Sequence, residues 1–62
     1  MSTYELAMKL CRNSTECQAA FNQGYTAGYE GVLFNENVNS YAEGTPEHLC
    51  WAEGFAEGCS DN

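Results

Sequence analysis

The sequence predicts an all-α domain, and three observations carry that expectation. Apolar residues recur at helical rather than strand spacing, cap signals precede three such runs, and one phrase of aromatics and glycines occurs twice, thirty residues apart. The 62 residues leave room for a single small domain (1–62), whose stability margin is thin because short chains bury a smaller share of their surface. A hydrophobic fraction of 44%, with Tyr4, Phe21, Tyr25, Tyr29, Phe34, Tyr41, Trp51 and Phe55 among its members, is enough for a compact core and argues against wholesale disorder.

The first helix is expected over about residues 3–11: Ser2 caps, Glu5 completes a capping box, and Tyr4, Ala7, Met8 and Cys11 line one side. A second is expected over about 14–31, opened by Asn13 as cap with Glu16 reaching back and stopped by Gly31. Its stripe of Cys17, Ala20, Phe21, Gly24, Tyr25 and Gly28 opposes a polar face of Glu16, Gln18, Asn22, Gln23, Thr26 and Glu30. From Val32 to Gly44 the asparagines Asn35, Asn37 and Asn39 favour a loop. Its apolar residues Val32, Leu33, Phe34, Val38 and Tyr41 are expected to pin it to the core, the alternative being that so long a loop carries function. The third helix, about 46–59, has the strongest start signal: Thr45 as cap, Pro46 where a missing N–H costs nothing, and Glu47 facing the helix dipole. Ser60, Asp61 and Asn62 read as a frayed tail.

The repeated phrase is Phe21-x-x-Gly24-Tyr25-x-x-Gly28 and Trp51-x-x-Gly54-Phe55-x-x-Gly58. On a helix these spacings put an aromatic ridge beside a flat glycine strip. Glycine within a helix costs about 1 kcal/mol against alanine, so the strips imply close backbone approach. Phe21, Gly24, Gly28, Gly54, Phe55 and Gly58 are therefore assigned to packing the second helix on the third, with Tyr25 and Trp51 interlocking beside them. One edge of the aromatic cluster is expected to stay exposed, where Tyr25, Tyr29, Tyr41 or Trp51 can anchor a partner.

Charge narrows the partner. The net charge is −7, Lys9 and Arg12 are the only fixed cations, and residues 13–62 are purely acidic. Such a surface disfavours direct nucleic-acid binding and steers toward basic proteins, with Glu30, Glu43, Glu47, Glu53 and Glu57 as the partner-facing carboxylates. The plainer reading of the acidity is solubility. No run is apolar enough to span a membrane and Met1 to Leu10 lacks the pattern of a signal peptide, so a cytoplasmic protein with reduced thiols is expected.

Catalytic and metal chemistry are not expected. Cys11, Cys17, Cys50 and Cys59 lack the close pairing of zinc ligands. Nine positions of helix turn Cys50 about 900° from Cys59 and set them ~13 Å apart, on opposite sides. A cross-helix pair such as Cys17 with Cys50 stays geometrically open, although buried thiols acting as small hydrophobes are the expectation. His48 lies in a capping turn without a nucleophile beside it, and the glycines sit inside helices rather than in a phosphate-binding loop. No cofactor, catalytic residue or metal ligand is therefore assigned; a homodimer through an exposed glycine strip remains open.

Ala20-x-x-x-Gly24-Tyr25-x-Ala27-Gly28-x-x-Gly31, then Asn39-x-Tyr41, then Trp51-x-x-Gly54-Phe55, resembles the pattern of the ribosome modulation factor family over about residues 20–58. The resemblance implies a two-helix core with an extended connection, no catalysis, and association with the small ribosomal subunit. The family pattern is strongly basic, whereas Asn22, Gln23, Glu30, Glu53 and Glu57 occupy the outward positions here, and Ser40 stands where the family prefers proline. Two functions follow as expectations. One is a non-enzymatic protein that modulates the translation machinery through protein contacts. The other is an acidic, phage-encoded inhibitor that mimics nucleic-acid charge and blocks a basic site on a host nucleic-acid-binding or defence protein.

Overall fold

The computed structural model describes residues 3–31 and 39–61. Within them are three helices and no strand: α1 (Thr3–Asn13), α2 (Thr15–Tyr29) and α3 (Pro46–Asp61). The expected cap Ser2, the connection residues Val32, Leu33, Phe34 and Val38, and the terminal Asn62 lie outside the described residues.

The boundaries differ from expectation at two places. The cap of α2 is Ser14, not Asn13, which instead ends α1: the Ser14 hydroxyl accepts from the Cys17 N–H at 3.3 Å and donates to the Glu16 carboxylate at 3.1 Å. Both residues are good caps, and Ser14 wins because its extended backbone (φ −148°, ψ 125°) aims the hydroxyl at the open N–H groups. At the other end, Asp61 belongs to α3 rather than to a frayed tail, held by a 2.7 Å hydrogen bond from the Tyr25 hydroxyl. Thr45 caps α3, accepting from the His48 N–H at 3.2 Å while donating to the Ala42 carbonyl at 2.6 Å. Gly31 stops α2 in the left-handed region, φ 83°, with its N–H on the Gly28 carbonyl at 3.2 Å.

Helices α2 and α3 meet backbone to backbone. A methyl group placed on Gly24 would overlap the Trp51 carbonyl and lie 3.0 Å from the Phe55 nitrogen; one on Gly28 would overlap the Phe55 carbonyl and lie 2.9 Å from the Cys59 nitrogen. The relation is reciprocal. Gly54 faces the Phe21 carbonyl and the Tyr25 nitrogen, and Gly58 faces the Tyr25 carbonyl and the Tyr29 nitrogen. Contacts on both helices thus advance together along the chain, so the two run parallel and are related by a local pseudo-two-fold axis that exchanges the repeated phrases. Four glycines remove the side-chain layer that ordinarily holds helix axes 8–10 Å apart.

Parallel packing explains the long connection. The chain must return from the end of α2 to the start of α3, a distance of about 22 Å for a 15-residue helix, which a tight antiparallel turn cannot cover. The described part of that return, Asn39 to Thr45, is tied down by Asn39. Its side-chain amide donates to the His48 carbonyl at 3.0 Å and accepts from the Tyr41 N–H at 3.1 Å. Tyr41 packs against the core of Ala7, Cys17, Ala20, Cys50, Trp51 and Phe55. Helix α1 contributes Ala7, Leu10 and Cys11 to that core and leaves Tyr4 and Leu6 exposed.

Candidate functional site

Because α2 and α3 are parallel, their C-terminal ends lie at the same pole of the domain. Each helix end carries roughly half a negative charge from its unpaired carbonyls, and opposite-signed residues normally offset it. Here neither helix has a basic residue in its last turn. Glu57 and Asp61 from α3 and Glu30 just past α2 add carboxylates to a pole already negative through its backbone.

Aromatic surface lies among these charges. Tyr25 and Tyr29, one turn apart on α2, stack with centroids 6.1 Å apart and 14° between planes. Tyr29 is 53% exposed. The Tyr25 hydroxyl is held above its usual pKa, first by the hydrogen bond it donates to Asp61, then by desolvation and by the negative charge of Asp61, Tyr29 and Glu57. The phenol therefore stays a neutral donor well into the alkaline range. Two flat rings beside the Asp61 and Glu57 carboxylates, at a pole where two helix ends and Glu30 add negative charge, present what a guanidinium or ammonium group binds: a ring face together with a negative field.

The structure divides the residues assigned from sequence. Tyr25, Tyr29, Glu30 and Glu57 come together at this pole. Glu43 and Glu47 do not: they stand at the start of α3, at the opposite end, and Glu47 turns inward so that its Oε1 lies 3.8 Å from the Cys17 Sγ. Glu53 is half-buried along α3 between the two ends. Trp51, expected at the exposed edge, is 3% exposed, stacks on Phe55 at 5.3 Å and belongs to the core; Tyr41 is likewise half-buried against it. The error has one cause: a pair of parallel helices approaching through glycine pulls the flanking aromatic inward at one end, while Tyr29, a turn beyond the core, stays outside. Asp61 was missed because three small polar residues at a chain end read as a tail. Its i+4 relation to Glu57 was the available signal.

A second cluster sits where all three helices meet. Cys50 is fully buried, its Sγ 3.8 Å from the Ala7 carbonyl and 3.9 Å from the Cys11 Sγ; Cys11 also reaches the Cys17 carbonyl at 3.6 Å. Burial, reinforced by Cys11 and Cys17, pushes the Cys50 thiol up to about 12. All four cysteines are free thiols, with Cys59 exposed on the far side of α3, and among the described residues no group has the arrangement of a metal site. Among the described residues, one shallow depression lies on α2, lined by Asn22, Gln23, Thr26, Ala27 and Glu30, and another lies between α1 and α2, lined by Met8, Cys11, Arg12, Gln18, Phe21 and Asn22. No described helix is long and apolar enough to cross a membrane. Compared with protein-family models, characterised proteins and solved structures, the chain matches none.

Proposed function

We propose that this chain is a non-enzymatic binding protein that engages a basic protein of the translation machinery, using the pole formed by Tyr25, Tyr29, Glu30, Glu57 and Asp61. The observation that carries the reading is the coincidence of two helix C-termini without basic residues, three carboxylates and a stacked tyrosine pair whose outer member, Tyr29, is exposed. Backbone and side chains there share one sign, so a phosphate-rich surface is repelled and an arginine- or lysine-rich one attracted. The resemblance to the ribosome modulation factor pattern supplies the translation machinery as the setting, with ribosomal proteins rather than RNA as the contact.

A second reading keeps the same pole and changes the setting: an acidic inhibitor occupying the basic groove of a nucleic-acid-binding or defence protein. The run of 50 residues from 13 to 62 without a single lysine or arginine favours it. Sedimentation with ribosomes at low salt separates the two. Co-migration that is lost on raising the salt supports the ribosomal reading, and absence from ribosomal fractions ends it. In either setting, Glu57→Lys with Asp61→Lys is expected to weaken partner binding at least tenfold while Glu43→Lys leaves it nearly unchanged; equal effects would show that the pole is not the contact.

A further inference from the structure

We propose that Cys11 and Cys50 are a redox latch: a thiol pair that closes to a disulfide under oxidation and staples α1 to α3. Their sulfurs face each other across the junction of the helices at 3.9 Å. Cys17, whose Sγ also meets the Glu47 carboxylate at 3.8 Å, borders Cys50 as well and is the rival partner the test must separate, whereas Cys59 lies on the opposite side of α3. A disulfide needs the two sulfurs at about 2.05 Å, so they must approach by roughly 2 Å. That movement is available because, among the described residues, α1 meets the hydrophobic core through the small set Ala7, Leu10 and Cys11, whereas α2 and α3 are locked backbone to backbone. A small shift of α1 closes the gap without disturbing the glycine seam.

The two sulfurs have unequal access, which sets the order of steps. Cys50 is fully buried and Cys11 half-buried, on the wall of the open groove between α1 and α2. A hydroperoxide therefore meets Cys11. The Cys11 thiolate attacks the terminal oxygen, the O–O bond breaks, an alkoxide or hydroxide leaves, and Cys11 becomes a sulfenic acid. Cys50 sulfur then displaces the sulfenic hydroxyl, which takes the Cys50 proton and departs as water. Two thiols are oxidised by two electrons, and one hydroperoxide is reduced to an alcohol or water. A bridge linking residues 39 positions apart closes a long loop of the unfolded chain, which is where a disulfide constrains most. Oxidation thus converts α1 from a lightly docked helix into a fixed part of the domain.

The test uses the full chain, reduced, freed of reductant and treated with equimolar hydrogen peroxide, followed by alkylation of the remaining thiols and non-reducing peptide mapping. The expected product is monomeric, lighter by two hydrogens, and yields one cross-linked peptide joining Cys11 to Cys50. Its melting temperature rises by about 10 °C or more over the reduced form. Cys59→Ser retains both changes, and Cys11→Ser loses both. Oxidation confined to Cys59, a bridge between any other pair, or the same rise in melting temperature in Cys11→Ser would each overturn the assignment. Should Cys11→Ser not fold, the peptide map of the parent chain decides alone.

Discussion

Replacing Gly24 with alanine isolates the feature on which the rest of the structure depends. On helix propensity alone the change stabilises by about 1 kcal/mol. Against it, the new methyl would overlap the Trp51 carbonyl oxygen and lie 2.9 Å from the carbonyl carbon, where ordinary contacts between carbons are about 3.5–4.0 Å. These neighbours are backbone and cannot swing aside, and the carbonyl oxygen, the nearest of them, requires α2 and α3 to separate by at least about 1 Å, which forfeits about half of the attraction of each contact across the seam. For a seam worth about one well-buried leucine, roughly 40–60 atom pairs at about 0.15 kcal/mol, the loss is about 3–4.5 kcal/mol. The net destabilisation is then about 2–3.5 kcal/mol, at the upper end for overpacking of a tight core. A chain of this length has roughly 3–9 kcal/mol in total, so the effect is large. Urea unfolding followed by circular dichroism and by Trp51 fluorescence measures it, with Ala19→Gly on the exposed face of α2 as a propensity control expected to cost about 1 kcal/mol. Because Gly24 and Gly54 face each other's helix, Gly54→Ala costs a similar amount and the double variant less than the sum, with a coupling of about 1 kcal/mol: helices already parted admit the second methyl freely. A Gly24→Ala protein as stable as its parent, or strictly additive singles, would refute the close-approach argument.

Three further outcomes follow from particular bonds. Asn39→Ala removes the bond that joins the connection to α3 at His48 and the one that braces the connection itself at Tyr41, and is expected to lower stability by about 1–3 kcal/mol, read as a lower urea midpoint at unchanged slope. Thr45→Ala costs about 1 kcal/mol by stripping the α3 cap, and Thr45→Ser recovers most of it in the same assay. Cys50 and Tyr25 both have folded pKa values raised above their ordinary ones, so their contribution to stability is intact below about pH 9 for the thiol and about pH 10 for the phenol. It is lost as pH rises above those values, for Cys50 until about pH 12. Alkaline melts should show this fall, Asp61→Asn should bring the Tyr25 ultraviolet titration back down, and alkylation at neutral pH should mark Cys59 first, Cys11 next, and Cys17 and Cys50 last.

Much of the architecture is legible in the sequence because it rests on strong local signals. Thr45-Pro46 starts α3 and Gly31 ends α2 by backbone rules that need no tertiary context. The thirty-residue repeat is visible by inspection, and in the fold its glycines lie against the opposite backbone. What was not legible depends on how the helices are placed. Their parallel direction follows from the length of the connection, a clue read only as a loop needing an anchor. That direction decides that Trp51 is buried, that Glu43 and Glu47 lie far from Glu57, and that two helix ends reinforce one charge. Asn39 illustrates the same limit: an asparagine in a polar loop reads as a turn former, and only its position over the first turn of α3 makes it a buried brace.

The parallel seam also sets how this chain folds. Every contact that joins α2 to α3 links residues about thirty positions apart, and no hairpin of adjacent helices can form first and guide the pairing. Although the regular structure of the described residues is helical, the α2–α3 seam has the contact order of a much less local fold, and loop closure precedes any gain from the glycine strips. Folding should then be slower than in an antiparallel bundle of equal size, and lengthening the connection should slow it further while unfolding hardly changes.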